Sequence, residues 1–459
     1  MSKENLKICY IGGGSRNWAW VLMQDLAYEK EIRGTIELYD LKTDDAKTNE
    51  IIGNKLMDAH NPGQWKFRAN SSLEDALKGS DFVIISILPG DFENMAVDVH
   101  APEKYGIYQS VGDTAGAGGI NRAIRTIPQF RKIAQEIKKH APLAWVINYT
   151  NPMSLCTHTL YREFPEIKAF GCCHEVFNTQ KLLIKVLEEA GLAGADTIRR
   201  EEIKVNVLGI NHFTWMDSAS WKDIDIFPVY KKFADKYAGT GYKQAAPKDA
   251  DEDALLRLKL FGSTDKVKID LFRRYGLIAA AGDRHLAEFC PHSWYLSSPQ
   301  TAESWGFALT PVSWRITDRE KLKVKAAAYR DGTQVLNPVQ SGEEGIKIIK
   351  ALSGHGDIVT NVNLPNRGQM PDFPLGAIVE TNAVFGRDNI HPVVTKGLTS
   401  EIRALTMPHT LAQQGLIEAV FENDMEKAFR VFSHDSAVHK LPLADARTLF
   451  NEMRKADSV

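Results

Sequence analysis

The chain predicts an α/β architecture, with a doubly wound parallel sheet in its N-terminal part and an α+β part after it. Short apolar runs alternate with segments of helical periodicity, the pattern of strands crossed over by helices on both faces of a parallel sheet. The first run, Ile8-Cys9-Tyr10-Ile11, leads through Gly12-Gly13-Gly14-Ser15 into a helical stretch. The second run ends in an acid, Asp40. Strand, glycine turn, helix, strand and terminal acid is the order of a Rossmann-type dinucleotide fold.

Each element follows from local pattern. Leu6–Ile11 is strand one, and Trp18–Glu29 carries apolar residues at helical spacing. Thr35–Tyr39 is strand two, Asp44–Ala59 a polar-faced helix and Lys66–Ala69 a short strand. Leu73–Leu77 is helical, and Asp81–Ile87 is a buried strand. Thr126–His140 is amphipathic with basic residues near its end, as the helix dipole favours. Ala144–Asn148 is another buried strand, closed by Tyr149-Thr150-Asn151-Pro152, and Lys168–Cys172 is a further short one. Past a boundary expected near residue 200, Ile203–Leu208 is strand-like and runs into Gly209-Ile210-Asn211-His212. The polar stretch Tyr237–Asp253 is expected to be a surface loop. Helices are expected over Asp318–Arg330, Gly342–Leu352, Val393–Gln414 and Met425–Val431, the third kinked or broken at Pro408. This division gives domains 1–200 and 201–459, with no internal repeat.

Bulk properties narrow the function classes. A chain of 459 residues has room for a large core. With 56 basic and 58 acidic residues the net charge is -2, which favours neither nucleic acid nor an anionic membrane surface. No apolar run reaches the roughly 18 residues that span a bilayer. No secretory leader is read at Met1–Lys7, and Cys9, Cys156, Cys172, Cys173 and Cys290 are too scattered for a disulfide framework, so a cytoplasmic location is expected.

At the glycine turn the backbone approaches a pyrophosphate seated on the helix N-terminus. Gly12, Gly14 and Ser15 are the cofactor-binding candidates, although the third glycine of the usual fingerprint is replaced by Asn17. Asp40 would bond a ribose 2′-hydroxyl and repel a 2′-phosphate, which points to NAD rather than NADP. An ordinary glycine turn before a helix is the plainer alternative.

Cys173 and His212 each follow a strand, and strand ends of such a sheet meet at its carboxyl edge. Thiolate plus imidazole suits Mn, Co, Ni or Zn and leaves coordination positions for substrate hydroxyls. A buried cysteine is more commonly a packing residue, the reading given to Cys9, Cys156 and Cys172.

The residues together resemble glycoside hydrolase family 4, whose members are NAD- and divalent-metal-dependent glycosidases. The resemblance runs through Gly12–Ser15, Asp40, Gly112-Asp113-Thr114 with Gly118-Gly119, Thr150-Asn151-Pro152, Cys173-His174-Glu175-Val176, Gly209–His212, Gly282-Asp283-Arg284 and Asn363-Leu364-Pro365-Asn366 with Gly368. It implies a fold like that of lactate and malate dehydrogenases, with Cys173 and His212 holding the metal, often manganese, and Asn151 contacting the sugar. It also implies a mechanism. NAD+ takes a hydride from sugar C3, the ketone acidifies the C2 proton, a base removes it, and the C1 substituent leaves by elimination. Water then adds at C1 and the hydride returns, so hydrolysis has no net redox change.

For the base, the resemblance points to Asp283, with Tyr275 as the alternative; a Gly-Asp turn capping a helix is the plain structural reading of Asp283. For the acid it points to His174, the residue after the metal cysteine, which can give a proton near neutral pH. Asp113 would assist the base or bind substrate, and Arg284 would contact substrate or neutralise charge near the cofactor.

The residues after the cysteine track the sugar in this family, and Cys-His-Glu-Val is most similar to the α-galacturonidase branch. A uronate needs an arginine partner, and Arg122, Arg125, Arg273, Arg274 and Arg284 are candidates. α-Galactosidase and α-glucosidase are the near alternatives. A 2-hydroxyacid dehydrogenase would share the cofactor fold but accumulate NADH, and a non-catalytic regulator would bind without releasing an aglycone. A homodimer or homotetramer acting on a small sugar or uronide, without nucleic acid or membrane partners, is the expected assembly.

Overall fold

The computed structural model describes residues 3–243, 251–309 and 311–456. Its strands are β1 Asn5–Ile11, β2 Arg33–Tyr39, β3 Trp65–Asn70, β4 Phe82–Ile85, β5 Trp145–Asn148, β6 Lys168–Gly171, β7 Ile203–Ile210, β8 Phe213–Trp221, β9 Ile224–Asp225, β10 Ile278–Ala279, β11 Ile358–Pro365, β12 Ile378–Gly386 and β13 Asn389–Pro392. Nine of them form one sheet in the order β13-β12-β11-β6-β5-β4-β1-β2-β3. The six N-terminal strands pair in parallel, while β11 runs antiparallel to β6, and β12 and β13 continue antiparallel. The chain winds outward from β1 to β3, then returns to the other side of β1 as β4. That reversal makes the switch point at which ligands bind in doubly wound sheets.

Alternation along the central strands explains why both faces are covered. Ile8 and Tyr10 of β1 join Ile84 and Ile147 in a core with Trp20, Met23 and Leu26 of the helix Trp18–Leu26. Their neighbours Cys9 and Ile11 join Val83, Ile85 and Val146 in the opposite core, with Phe130, Ile133 and Ile137 of the helix Gly116–His140. Side chains of successive strand residues point to opposite faces, so strands that are apolar throughout must sit between two helical layers.

The second half does not form a sheet of its own alone. Val362 and Leu364 of β11 and Ala383 and Phe385 of β12 pack in the same core as Ile8 and Ile147. The division expected at residue 200 therefore runs through a shared sheet and core. A smaller sheet, β10-β8-β7 with β9 on β8, carries the two-residue turn Asn211-His212 between β7 and β8.

Other boundaries moved as well. The helix expected from Thr126 starts at Gly116, because the glycine-rich run that looks like a loop is its first turn. The helix Ser400–Phe421 passes through Pro408 without ending there. Helices Phe227–Tyr237 and Glu252–Phe261 reach into both ends of the expected loop Tyr237–Asp253, whose residues 244–250 lie outside the described residues. The five cysteines are free and buried. Among the described residues no helix is long and apolar enough to cross a membrane.

Candidate active site

The glycine turn is held between the ends of three strands. The amides of Gly12 and Gly13 both donate to the Tyr39 carbonyl at 2.9 Å. The Gly14 amide donates to Asp40 Oδ2 at 3.0 Å, and the Lys42 amide to Oδ1 at 2.9 Å. Gly12 has φ +97°, and a Cβ there would lie 2.0 Å from the Ser86 carbonyl oxygen, so only glycine fits between β1 and β4. Asn17 begins the following helix without a side-chain cap, so the first-turn amides keep their donor capacity toward an anion. Gly12, Gly14, Ser15 and Asp40 thus meet at the carboxyl ends of β1 and β2, and the donors left for a dinucleotide phosphate are the first-turn amides of the helix Trp18–Leu26.

A second cluster is built from distant segments. One ligand atom each of Asp113, His212 and His285 lie within 4.8 Å of one another. Asp113 Oδ1 accepts from the Thr114 hydroxyl at 2.6 Å, and the Thr114 oxygen lies 3.0 Å from His212 Nδ1. With its one proton committed to Asp113, Thr114 accepts from His212 Nδ1–H, which leaves the Nε2 lone pair available to a metal. Burial opposes charge on both imidazoles, so His212 is lowered to about 3 and His285 is also lowered. Two imidazoles and a carboxylate are a donor set that suits a divalent cation. His285 Nδ1 is buried with no hydrogen-bond partner among the described residues, as an unfilled ligand position would leave it. The rings of His212 and His285 stand 3.8 Å apart at their centroids.

Carboxylates and guanidinium groups surround this cluster. Burial works against the charge of Asp113, but Arg122 and the two histidines outweigh it and hold its pKa well below the usual carboxylate range. Glu175 is lowered to about 2: burial opposes, while His285, His174, His212 and the Gly282 amide, which donates to Oε2 at 2.6 Å, prevail. Arg315 interacts electrostatically with Asp113 and Arg122, and Arg284 with Arg315, Glu288 and Asp113. Burial lowers Arg284 to about 10, and the nearby Arg315 charge adds to this. The guanidinium groups of Arg284 and Arg315 both lie over the Phe261 ring, 5.2 and 5.3 Å from its centroid.

The sequence profile of family 4 glycosyl hydrolases matches residues 7–189, and that of the family 4 C-terminal domain matches residues 207–438. The chain belongs to family 4 of the glycosyl hydrolases. It is 54% identical over 450 residues, covering 98% of this chain and 96% of the relative, to an alpha-galacturonidase of Thermoanaerobacter italicus. The crystal structure of lplD from Bacillus subtilis is 45% identical, with a TM-score of 0.91 over 99% of this chain and 100% of that one. A 6-phospho-alpha-glucosidase from gut microorganisms, in complex with NAD and Mn2+, has the same fold at 19% identity, with a TM-score of 0.81 over 99% and 98% of the two chains.

In this family 4 hydrolase the expected site residues fall into two groups. Asn151 joins the cluster: its Nδ2 lies 3.4 Å from Asp113 Oδ2 as donor, its carbonyl accepts from Arg122 Nε at 3.1 Å, and its Oδ1 is buried without a partner among the described residues. His174 begins the helix Glu175–Glu189, half-exposed, with Nδ1 3.4 Å from Glu343 Oε1 and Nε2 3.8 Å from Glu175 Oε1. Arg284 donates to the Ser110 carbonyl, and its own carbonyl accepts from the Ser110 hydroxyl. Cys173 does not belong to the three-residue donor set; its thiol is pushed up by burial, by Glu380 and by Glu175.

The two base candidates lie at opposite ends of one helix. Both oxygens of Asp283 accept from the backbone at the start of Lys266–Tyr275, from the Val267 amide at 3.2 Å and the Lys268 amide at 3.0 Å. Burial and the neighbouring Asp265 push its carboxyl up. The side chain therefore does the work of a helix cap and is turned from the cluster, whereas His285, two residues on, enters it. Tyr275 closes the same helix, its ring edge-on to Trp215 at 6.1 Å.

Sequence reasoning missed His285, Arg315, Glu288 and Glu380. Glu288 Oε1 accepts from the Val111 and Gly112 amides at 2.7 and 2.9 Å and so fixes the loop that presents Asp113. Its place one turn after Arg284 was the available signal, since residues four apart share a helix face.

Proposed function

We propose that this family 4 hydrolase cleaves α-galacturonides. The observation that carries the reading is the group of guanidinium charges, Arg122, Arg284 and Arg315, around Asp113 and Asn151. Among the described residues no carboxylate lies within ion-pair distance of Arg315, so a uronate would supply the missing partner. The high identity to an alpha-galacturonidase over nearly the whole chain supports the same substrate.

Asp113, His212 and His285 would hold a divalent cation, manganese being the family expectation, with the Cys173 thiolate expected to join them. The turn Gly12–Ser15 and Asp40 would hold NAD. When bound, NAD would exchange a hydride with the sugar and the cation would polarise the sugar oxygens. The orphaned Asn151 Oδ1 would accept from a sugar hydroxyl. His174, half-exposed beside two carboxylates, would protonate the leaving oxygen. Asp283 was expected to take the C2 proton, but its oxygens are occupied by helix amides, and we give that step to Glu175. The free cysteines suit a reducing cytoplasm, and a homo-oligomer is proposed as the working assembly.

The test is release of p-nitrophenol from the α-galacturonide, α-galactoside and α-glucoside, with and without NAD+, Mn2+ and reductant. Cleavage of the galacturonide that requires NAD+ and Mn2+ is expected. Preferential cleavage of a neutral glycoside would overturn the uronide assignment, and NADH accumulating without aglycone release would overturn hydrolysis by this route.

A further inference from the structure

Glu380 lies on β12, directly across the ladder from Asn363 of β11, and its side chain is buried. It touches neither the cluster's donor atoms nor the glycine turn, yet it ties together the segments that carry His212 and Cys173. Its Oε2 accepts from Asn211 Nδ2 at 3.2 Å, and its Oε1 from Asn361 Nδ2 at 2.7 Å. The same Asn361 Nδ2 also lies 3.2 Å from the Cys173 carbonyl, as donor. One carboxylate thus joins the β7–β8 turn, the end of β6 and the β11–β12 pair.

The turn has a reason to need such a hold. His212 sits at φ +65°, in the left-handed region that non-glycine residues occupy at a cost. A two-residue turn with a strained second position has neighbouring conformations that swing its side chain away. Asn211, gripped by Glu380, is the residue next to that strain, and a fixed Asn211 limits the directions His212 can take.

Resting on the reading that this site holds a divalent cation, we propose that Glu380 is a positioning residue, which keeps the His212 turn in register with the Cys173 strand end so that the donors converge before the ion arrives. A glutamine in its place has the same shape but removes the charge that both asparagine N–H groups face, and it keeps both ties only if one asparagine amide turns over to present its oxygen.

The experiment measures Mn2+ binding to the purified protein by loss of the free-ion electron paramagnetic resonance signal, with NAD+ binding and apo-protein melting alongside. Glu380→Gln should bind Mn2+ about 10- to 100-fold more weakly, the range for residues that orient ligands from behind, with NAD+ affinity unchanged. Asn361→Ala, which removes the bonds to Glu380 Oε1 and to the Cys173 carbonyl but leaves Glu380 on Asn211, should show a smaller loss and serves as the second variant if Glu380→Gln does not fold. Wild-type Mn2+ affinity in a folded Glu380→Gln, or in Asn361→Ala where that variant alone folds, would overturn the inference alone. Failure of the wild type itself to bind Mn2+ would overturn the cation reading and the inference with it.

Discussion

Glu175 and Asp283 show how two carboxylates in neighbouring segments acquire opposite chemistry. Asp283 is enclosed with another acid, Asp265, and its proton is held more tightly for that reason. Glu175 is instead held down against burial by the field of His285, His174 and His212 and by the Gly282 amide, which donates to it at 2.6 Å. A base must be ionised to act, so a base with a raised pKa loses its function as pH falls through that value, and one near 2 keeps it. Entry of solvent deuterium at sugar C2 should therefore stay level from mildly alkaline to mildly acidic pH, and Glu175→Gln should abolish it while sugar still binds. Exchange that dies away as the solution becomes mildly acidic, and survives in Glu175→Gln, would return the role to Asp283. The sequence pointed to Gly282-Asp283-Arg284, but a side chain's direction depends on which helix end lies opposite, and that contact is made across the fold.

At the level of elements, legibility follows how uniformly a segment is buried. The strands β1, β4 and β5 are apolar almost throughout and stand out in the sequence. β11 and β12 were not foreseen, because Asn361, Asn363, Glu380 and Thr381 occupy buried positions and break the apolar pattern. Two of them, Glu380 and Asn361, bond the segments that carry His212 and Cys173, so the feature that hid the strands also links those segments. The helix Val312–Asp331 gives the converse case. Tyr329 near its end packs edge-on to Trp20 at 5.3 Å, which anchors it on the N-terminal core, and its first turns carry Arg315 to the cluster. If Arg315 pairs with the uronate, Arg315→Met should raise KM for the α-galacturonide about 10- to 100-fold, the worth of a charge-assisted hydrogen bond, and leave a neutral α-galactoside unaffected. Equal losses on both substrates would show that the residue supports the site without reading the carboxylate.

The whole molecule is organised around one sheet edge. The glycine turn follows β1, Asp40 follows β2, Cys173 follows β6, and Asn361 of β11 and Glu380 of β12 bond the segments of Cys173 and His212. This arrangement has a consequence for folding. Phe170 of β6 packs edge-on to Phe385 of β12 at 5.3 Å, and β6 pairs with β11 through Asn363. Cutting the chain after residue 200 would leave β6 as a bare edge and uncover Phe170 and Ile147 on one face, although the nucleotide-binding strands would all be present. An unpaired apolar edge is an aggregation site, and exposed core surface removes the main favourable contribution to folding. The fragment 1–200 should therefore show no cooperative urea transition and should bind a hydrophobic dye, while the full chain unfolds cooperatively. A fragment that unfolds cooperatively and binds NAD+ would mean that the six parallel strands are self-sufficient, and that the shared core contributes to the site rather than to the stability of the nucleotide-binding half.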